Sequence, residues 1–243
     1  MRVAVFSDVH GNLHALEAVL ESLTAESPDT VWCLGDVVGY GPRPNRCCAL
    51  VAERAELCLI GNHDLAVLGR LDLEEFAEDA AESARWTASV LEDSSRTFLE
   101  RLSPSASRDG VGLYHASPRD PVWEYVLTPQ VVVASLYEAE EPIVLVGHSH
   151  VALAFALDES SLTGGLAPDG TEFALAEGAR TLLNPGSVGQ PRDSDPRAAW
   201  MLLDLESRTA TFHRVPYPVE RTQAEIRERG LPEALAERLE HGL

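Results

Sequence analysis

Five short motifs rich in aspartate, histidine and asparagine recur along the chain, each where a hydrophobic run ends. They are Asp8-Val9-His10, Gly35-Asp36, Gly61-Asn62-His63-Asp64, Tyr114-His115 and Gly147-His148-Ser149-His150. Together they supply seven side chains able to bind a metal ion and one further histidine, the complement that a two-metal hydrolytic centre requires. Mixed nitrogen and oxygen ligands without thiolates favour manganese, iron, zinc, cobalt or nickel over magnesium or calcium.

The hydrophobic runs that precede the motifs predict strands that end at the motifs. Val3–Ser7, Thr30–Leu34 and Glu56–Ile60 are short and rich in β-formers, and Val111–His115 and Ile143–Gly147 resume the pattern. Helical periodicity between the first three runs predicts parallel βαβ units. Because ligands in open α/β sheets bind at the carboxyl ends of strands, we expect all candidate ligands to gather at one edge of one sheet.

The rest of the chain extends this pattern to a layered fold. Residues 64–102 predict a helical insertion, since alanine, glutamate and leucine recur there at amphipathic spacing. After His150, short strands separated by turn residues predict antiparallel pairing in a second sheet, and a final helix lies near Val219–Arg229. The expected fold class is α/β, a four-layer α-β-β-α sandwich of two mixed sheets flanked by helices, with residues 1–243 forming a single domain.

Charge and hydropathy disfavour several classes of function. The chain carries 39 acidic and 19 basic residues, a net charge of −20, which repels nucleic-acid phosphates and disfavours duplex binding. No apolar stretch approaches the roughly 20 residues that a membrane-spanning helix needs. The segment Met1–Phe6 lacks the cleavage site of a signal peptide. We therefore expect a cytoplasmic enzyme without a membrane partner, and the sequence leaves its oligomeric state open.

The order and spacing of the motifs resemble those of the calcineurin-like metallophosphoesterase family over about residues 3–190, and the segment Asn184–Ser187 is similar to a further family element. The resemblance implies two divalent metal ions with a shared carboxylate. The implied ligands are Asp8, His10, Asp36 and His150 for the first ion, and Asp36 as the bridge with Asn62, His115 and His148 for the second. His63 is implied to be catalytic, neutralising the developing charge or protonating the leaving alkoxide.

The resemblance also implies the reaction, hydrolysis of a small phosphoester by attack of a metal-bridging hydroxide. Protein phosphatases of the superfamily carry GD-x-x-D-R-G, but the stretch Gly35–Gly41 lacks the second Asp and the Arg. This departure favours a bacterial-type phosphodiesterase acting on a cyclic nucleotide or a small nucleotide ester. A phosphomonoesterase or protein phosphatase with the same centre is the alternative. A non-catalytic binding scaffold of the same fold is disfavoured, because every implied ligand is present.

Four residues near the motifs have two interpretations each. Asn12 fits either a cap of the first helix or a contact with substrate. Arg43 fits a phosphate-binding residue, as does Arg119, although loop arginines are more often solvated. Asp64 could replace the missing Asp as the hydrogen-bond partner of His63. We retain Asn12 and Arg43 as candidate substrate-binding residues.

Overall fold

Strands and helices alternate in the first half of the chain, and strands dominate the second half. The computed structural model describes residues 1–159 and 161–243. Its strands, in chain order, are β1 (Arg2–Phe6), β2 (Thr30–Cys33), β3 (Leu57–Cys58), β4 (Ser105–Arg108), β5 (Val111–Tyr114), β6 (Ile143–Leu145), β7 (Ala152–Asp158), β8 (Ser161–Leu166), β9 (Glu172–Ala174), β10 (Arg180–Pro185), β11 (Ala198–Asp204) and β12 (Thr209–Val215).

The α-helices fall into an N-terminal pair, an insertion and later flanking helices. In chain order they are α1 (Leu13–Ala25), α2 (Pro44–Arg54), α3 (Asn62–Val67), α4 (Glu78–Val90), α5 (Asp93–Glu100), α6 (Pro129–Glu138), α7 (Val219–Glu228) and α8 (Glu233–Glu237). Single 3₁₀ turns lie at Leu73–Glu75 and Arg238–Glu240. Helices α3, α4 and α5 lie between β3 and β4, so the fold contains the helical insertion that the sequence predicts. Within the described residues, no helix is long and apolar enough to cross a membrane.

The strands form two six-stranded sheets. The order across the first sheet is β3-β2-β1-β11-β12-β9, and across the second β4-β5-β6-β10-β7-β8. In the first sheet β1, β2 and β3 are parallel, and in the second β5, β6 and β10 are parallel, while the other neighbours are antiparallel. Both sheets are therefore mixed, as the sequence predicted.

The assignment of strands to sheets differs from the sequence expectation. β4, β5 and β6 lie in the second sheet and not beside the N-terminal strands. β11 and β12 lie in the first sheet, where β11 pairs with β1. The expectations that all candidate ligands lie at one edge of one sheet, and that the strands after His150 build the second sheet alone, are wrong. The physical reason is that hydrophobic pattern marks a strand and its end, whereas it does not specify the neighbour with which the strand pairs.

Alternation of side chains along the strands builds the layers. Val3 and Val5 of β1 lie in the hydrophobic cluster between the two sheets, whereas Ala4 and Phe6 pack in a second cluster with α1 and α2. This follows from the two-residue period of a strand, which sends neighbouring side chains to opposite faces. A third cluster joins α6 to the outer face of the second sheet through Val132. The order of the layers is thus helix, sheet, sheet, helix.

Leu145 gives a direct test of the contact between the sheets. It is fully buried at the end of β6, three residues before His148, and belongs to the cluster shared by both sheets. We expect Leu145→Ala to lower the free energy of unfolding by about 2–5 kcal/mol, because the removed methyl groups leave a cavity. The matched control is Leu127→Ala, whose side chain is 52% exposed. Equal urea midpoints for the two variants would contradict this packing.

Candidate metal centre

Sharp turns at the ends of strands carry most of the candidate ligands. Five of them adopt the left-handed backbone conformation, with φ of 56° at Asp8, 49° at His10, 51° at Asp36, 62° at His148 and 59° at His150. This region is uncommon for residues other than glycine, and its strain concentrates at functional sites. These turns follow β1, β2 and β6, so strands of both sheets contribute to one site.

Glycines allow the turns to approach each other closely. A Cβ atom added at Gly61 would collide with the Asp36 carboxylate and lie 2.6 Å from Cε1 of His115. Gly35 has a φ of 102°, and an added Cβ would lie 2.9 Å from Nδ1 of His115. Glycine at these positions therefore lets the first-sheet turns sit against a histidine from the second sheet.

Backbone carbonyls orient the histidine rings. Four rings each have one nitrogen near a carbonyl oxygen: His10 Nδ1 at 3.2 Å from Val38, His115 Nδ1 at 2.9 Å from Leu34, His150 Nδ1 at 2.6 Å from Gln190 and His148 Nε2 at 3.2 Å from Trp123. A carbonyl only accepts, so the nitrogen facing it must carry the proton. In a neutral ring the other nitrogen then has a free lone pair, as a metal ligand requires.

The remaining donor atoms converge. Nε2 of His10 lies 3.0 Å from Nε2 of His150 and 3.6 Å from Oδ2 of Asp36. The same Asp36 oxygen lies 3.5 Å from Nε2 of His115, and Oδ1 of Asp8 lies 3.4 Å from Nε2 of His150. Asn62 Oδ1 lies 3.3 Å from Nε2 of His115. All seven predicted ligands are at most 3% exposed: Asp8, His10, Asp36, Asn62, His115, His148 and His150.

This set of donors fits divalent cations. Oδ1 of Asp8 and Oδ2 of Asp36 are buried without a hydrogen-bond partner among the described residues. Unpaired buried carboxylates are costly, and a positive ion among them removes that cost. Three groups have donor atoms within 4.8 Å of one another: Asp8 with His10 and His150, His10 with Asp36 and His63, and Asp36 with His115 and His148.

Electrostatics in the site follow from burial and from crowding of carboxylates. Burial, together with the nearby carboxylates of Asp64 and Asp8, raises the pKa of Asp36 well above its usual range. Burial also raises the pKa of Asp64, to about 6. The pKa values of His10 and His115 are lowered, chiefly by burial, which keeps these rings neutral as metal ligation requires.

His63 lies beside these ligands, but Asp64 does not pair with it. The His63 ring centroid is 4.9 Å from that of His10, and Nδ1 is buried without a hydrogen-bond partner among the described residues. The Asp64 carboxylate instead accepts from the backbone N–H of Val38 at 2.9 Å and of Gly61 at 3.0 Å. The predicted Asp64–His63 pair is therefore wrong, because Asp64 caps the first turn of α3.

The candidate substrate-binding residues have partners within the protein. Asn12 is buried, and its Oδ1 accepts from the Ala15 N–H at 3.3 Å and the Thr222 hydroxyl at 2.9 Å, which confirms that it caps α1. Arg43 pairs with Glu225 through two hydrogen bonds of 2.7 and 2.8 Å. Asn12 therefore holds α7 against the start of α1, and Arg43 holds it against the start of α2.

Arg119 is likewise engaged. It lies 3.3 Å from a carboxylate oxygen of Glu124, and its side chain is 46% exposed.

Two residues outside the motifs complete the surroundings. The Tyr40 ring centroid lies 4.4 Å from that of His63 and 4.7 Å from that of His10. Arg192 donates from its backbone to the His150 carbonyl at 3.1 Å, and its guanidinium lies 3.4 Å from the Tyr40 hydroxyl. The sequence does not predict either residue as part of the site. Its signal is weak, a Pro-Arg pair four residues beyond the Asn184–Ser187 segment.

That segment does pack at the site, as expected. The Ser187 hydroxyl donates to the Asp8 carbonyl at 2.8 Å, and the Asn184 amide donates to the Gly147 carbonyl at 2.8 Å. These bonds tie the turn after β1, in the first sheet, to the turn after β6, in the second. The relative position of the two sheets is thereby fixed where the ligands meet.

Aromatic rings border the centre. The Tyr125 ring stacks on His148, with centroids 4.1 Å apart and an angle of 20° between the planes. Phe76, from the helical insertion, lies 5.3 Å from His63 and 5.0 Å from Trp123, measured between ring centroids. The insertion therefore reaches the histidine that is not expected to bind metal.

Comparisons with known proteins identify the family of the chain and support its fold. Residues 1–208 match the family model of the calcineurin-like phosphoesterase superfamily domain. The chain is 35% identical to an uncharacterised protein of Methanocaldococcus jannaschii over 242 residues, covering 98% of this chain and 96% of that protein. It is similar to the crystal structure of a metallophosphoesterase from Sphaerobacter thermophilus, with a TM-score of 0.88, 39% identity and coverage of 100% and 99%. A hypothetical protein from Pyrococcus horikoshii shares the fold, with a TM-score of 0.80, 20% identity and coverage of 100% and 98%.

Substitution of Asp36 tests two effects separately: the destabilisation that its buried carboxyl causes without metal, and the stabilisation that added metal should provide. At neutral pH we expect Asp36→Asn to raise the melting temperature of the metal-free protein, since it removes a buried carboxyl whose ionisation is opposed by burial and by the carboxylates of Asp64 and Asp8. The variant should lose the stabilisation by added Mn²⁺, which for the parent is about 2.7 kcal/mol at 100 times the dissociation constant. Asp109→Asn, at an exposed position, is the control. Equal stabilisation of Asp36→Asn and the parent by Mn²⁺ would contradict a metal site at Asp36.

Proposed function

The chain belongs to the calcineurin-like phosphoesterase superfamily, and on that basis we propose that it is a metal-dependent phosphoesterase with a preference for small phosphodiesters. Membership of the family supports hydrolysis of phosphoester bonds. The observation that carries the proposal is the convergence of buried aspartate, asparagine and histidine donors from both sheets. We also propose that residues 1–243 act as one domain, because the first sheet is built from both ends of the chain.

We propose two ion positions. Asp8, His10, Asp36 and His150 would hold one transition-metal ion, and Asp36, Asn62, His115 and His148 the other. Oδ2 of Asp36 supports this assignment, since it lies 3.6 Å from Nε2 of His10 and 3.5 Å from Nε2 of His115. When bound, such ions lower the pKa of coordinated water and neutralise phosphate oxygens.

We propose that His63 interacts with the leaving group of the substrate. Burial lowers the pKa of His63 well below its usual range, so the ring is neutral and keeps one N–H. That N–H would donate a hydrogen bond to the leaving oxygen and so stabilise the negative charge that develops on it. Packing supports a fixed ring position, since His63 lies between Tyr40 and Phe76, with centroid distances of 4.4 and 5.3 Å.

The loop after β2 supports the diester preference. Gly39 and Tyr40 stand where protein phosphatases of the superfamily have the second Asp and the Arg. Gly39 has a φ of 92°, and a Cβ added there would lie 2.8 Å from Nδ1 of His63. A carboxylate from this position therefore cannot orient His63 in the present arrangement. A phosphomonoesterase using the same centre is the alternative.

Turnover of matched esters tests the preference. With Mn²⁺, Fe²⁺, Zn²⁺, Co²⁺ or Ni²⁺ added, we expect kcat/KM for bis(p-nitrophenyl) phosphate to exceed that for p-nitrophenyl phosphate by at least about tenfold. Asp36→Asn should abolish both activities, since it removes the carboxylate shared by the ions. Rapid cleavage of the monoester with an inert diester would contradict the diester preference while supporting the alternative.

A leaving-group series tests His63. We expect His63→Ala to bind metal like the parent and to lose about 10²–10⁴-fold in kcat for esters with poor leaving groups. The loss should be much smaller for p-nitrophenolate, a good leaving group whose negative charge needs little stabilisation. Phe76→Leu is a control for the packing around the ring. A uniform loss across all leaving groups would contradict a role of His63 at the leaving oxygen.

A further inference from the structure

We propose that Arg192 binds the phosphate group of the substrate beside the metal ligands, with Tyr40 and Gln190 orienting its guanidinium. This inference rests on the proposed function, because it assigns a further residue to the same site. Arg192 lies on the segment after Asn184–Ser187, which already contacts the turns that carry Asp8 and His148.

Hydrogen bonds to His150 fix the position of the main chain at Arg192. Its N–H donates to the carbonyl of His150 at 3.1 Å, and two residues earlier the carbonyl of Gln190 accepts from Nδ1 of the His150 ring at 2.6 Å. One short segment therefore positions both a candidate metal ligand and the arginine. A shift of this segment would move the two together.

The guanidinium lies near the histidines of the centre. Besides burial, the charge of Arg192 is among the causes that lower the pKa values of His10, His63 and His150. Tyr40 links the guanidinium to these rings, since its ring centroid lies 4.4 Å from that of His63 and 4.7 Å from that of His10. The Arg192 guanidinium lies 6.0 Å from the centroid of the same Tyr40 ring.

Arg192 differs from its neighbours because it has no carboxylate partner. Arg214 pairs with Asp193, and Arg197 lies 2.7 Å from Asp195. Among residues 1–159 and 161–243, no carboxylate oxygen lies within 4.0 Å of the Arg192 guanidinium, although the chain has 39 acidic residues.

The partners of the guanidinium are neutral: Gln190 Oε1 at 2.9 Å and the Tyr40 hydroxyl at 3.4 Å. These two contacts hold the side chain in position without neutralising its charge. The planar guanidinium presents five N–H donors and matches two phosphate oxygens at once. A half-buried arginine held in this way is therefore free to bind an oxyanion. The other arginines proposed from the sequence, Arg43 and Arg119, already have carboxylate partners.

The experiment compares Arg192→Met and Arg192→Lys with Arg54→Met, a control with the same loss of charge at an exposed position on α2. Metal content and melting temperature are measured first for every protein. Inorganic phosphate binding to the Mn²⁺-loaded proteins is then measured by calorimetry, and kcat and KM with bis(p-nitrophenyl) phosphate. The calorimetric readout is independent of turnover.

We expect Arg192→Met to keep its metal and to bind phosphate at least about tenfold more weakly, with a higher KM and a kcat/KM lowered by about 10- to 100-fold. Arg192→Lys should recover part of the loss, since it keeps the charge without the paired donors, and Arg54→Met should match the parent. Phosphate affinity and KM that are unchanged in both Arg192 variants would overturn the assignment. A parent protein that binds no metal and hydrolyses no ester would instead contradict the proposed function itself.

Discussion

The lone pairs of His10 Nε2 and His150 Nε2 face each other at 3.0 Å, in a space where burial excludes most water. Both rings have their other nitrogen near a backbone carbonyl, so neither can turn a proton toward its neighbour without losing that bond. Carboxylate oxygens of Asp8 and Asp36 point into the same region without a hydrogen-bond partner among the described residues. A divalent cation among these atoms would remove the repulsion without protonating either carboxylate, and the rest of the site is consistent with that arrangement.

The fold meets the requirement by bringing the ends of strands from two sheets together. Left-handed turns at Asp8, Asp36 and His148 aim the ligands inward, and a glycine at position 61 leaves room for the Asp36 carboxylate. Hydrogen bonds from Asn184 and Ser187 join the turns across the sheets. Backbone strain and buried charge are concentrated at the candidate metal centre, whereas apolar packing between the layers stabilises the rest of the fold. Cations held by the candidate ligands would offset this local cost.

Much of this could be predicted from the sequence, because ligand identity and strand ends are local properties. Hydrophobic runs located β1, β2, β5 and β6, and the polar residues that follow them are the ones that converge. The pairing of strands could not be predicted, since the same pattern fits either sheet. Adjacency in sequence suggests Asp64 as a partner of His63, whereas in the structure its carboxylate accepts hydrogen bonds from the backbone N–H groups of Val38 and Gly61. The proposed role of Arg192 could not be predicted, because it depends on contacts with Tyr40 and Gln190 that only the folded chain provides.

The most direct test of the account is anomalous diffraction from crystals grown with Mn²⁺. We expect two anomalous peaks, one contacting Asp8, His10 and His150 and the other contacting His115 and His148, with the Asp36 carboxylate between them. The distance between the peaks should be about 3.5–4 Å. Absence of a peak among these residues, with the Asp36 carboxylate turned away to another partner, would contradict the central claim that cations resolve the repulsion in this site.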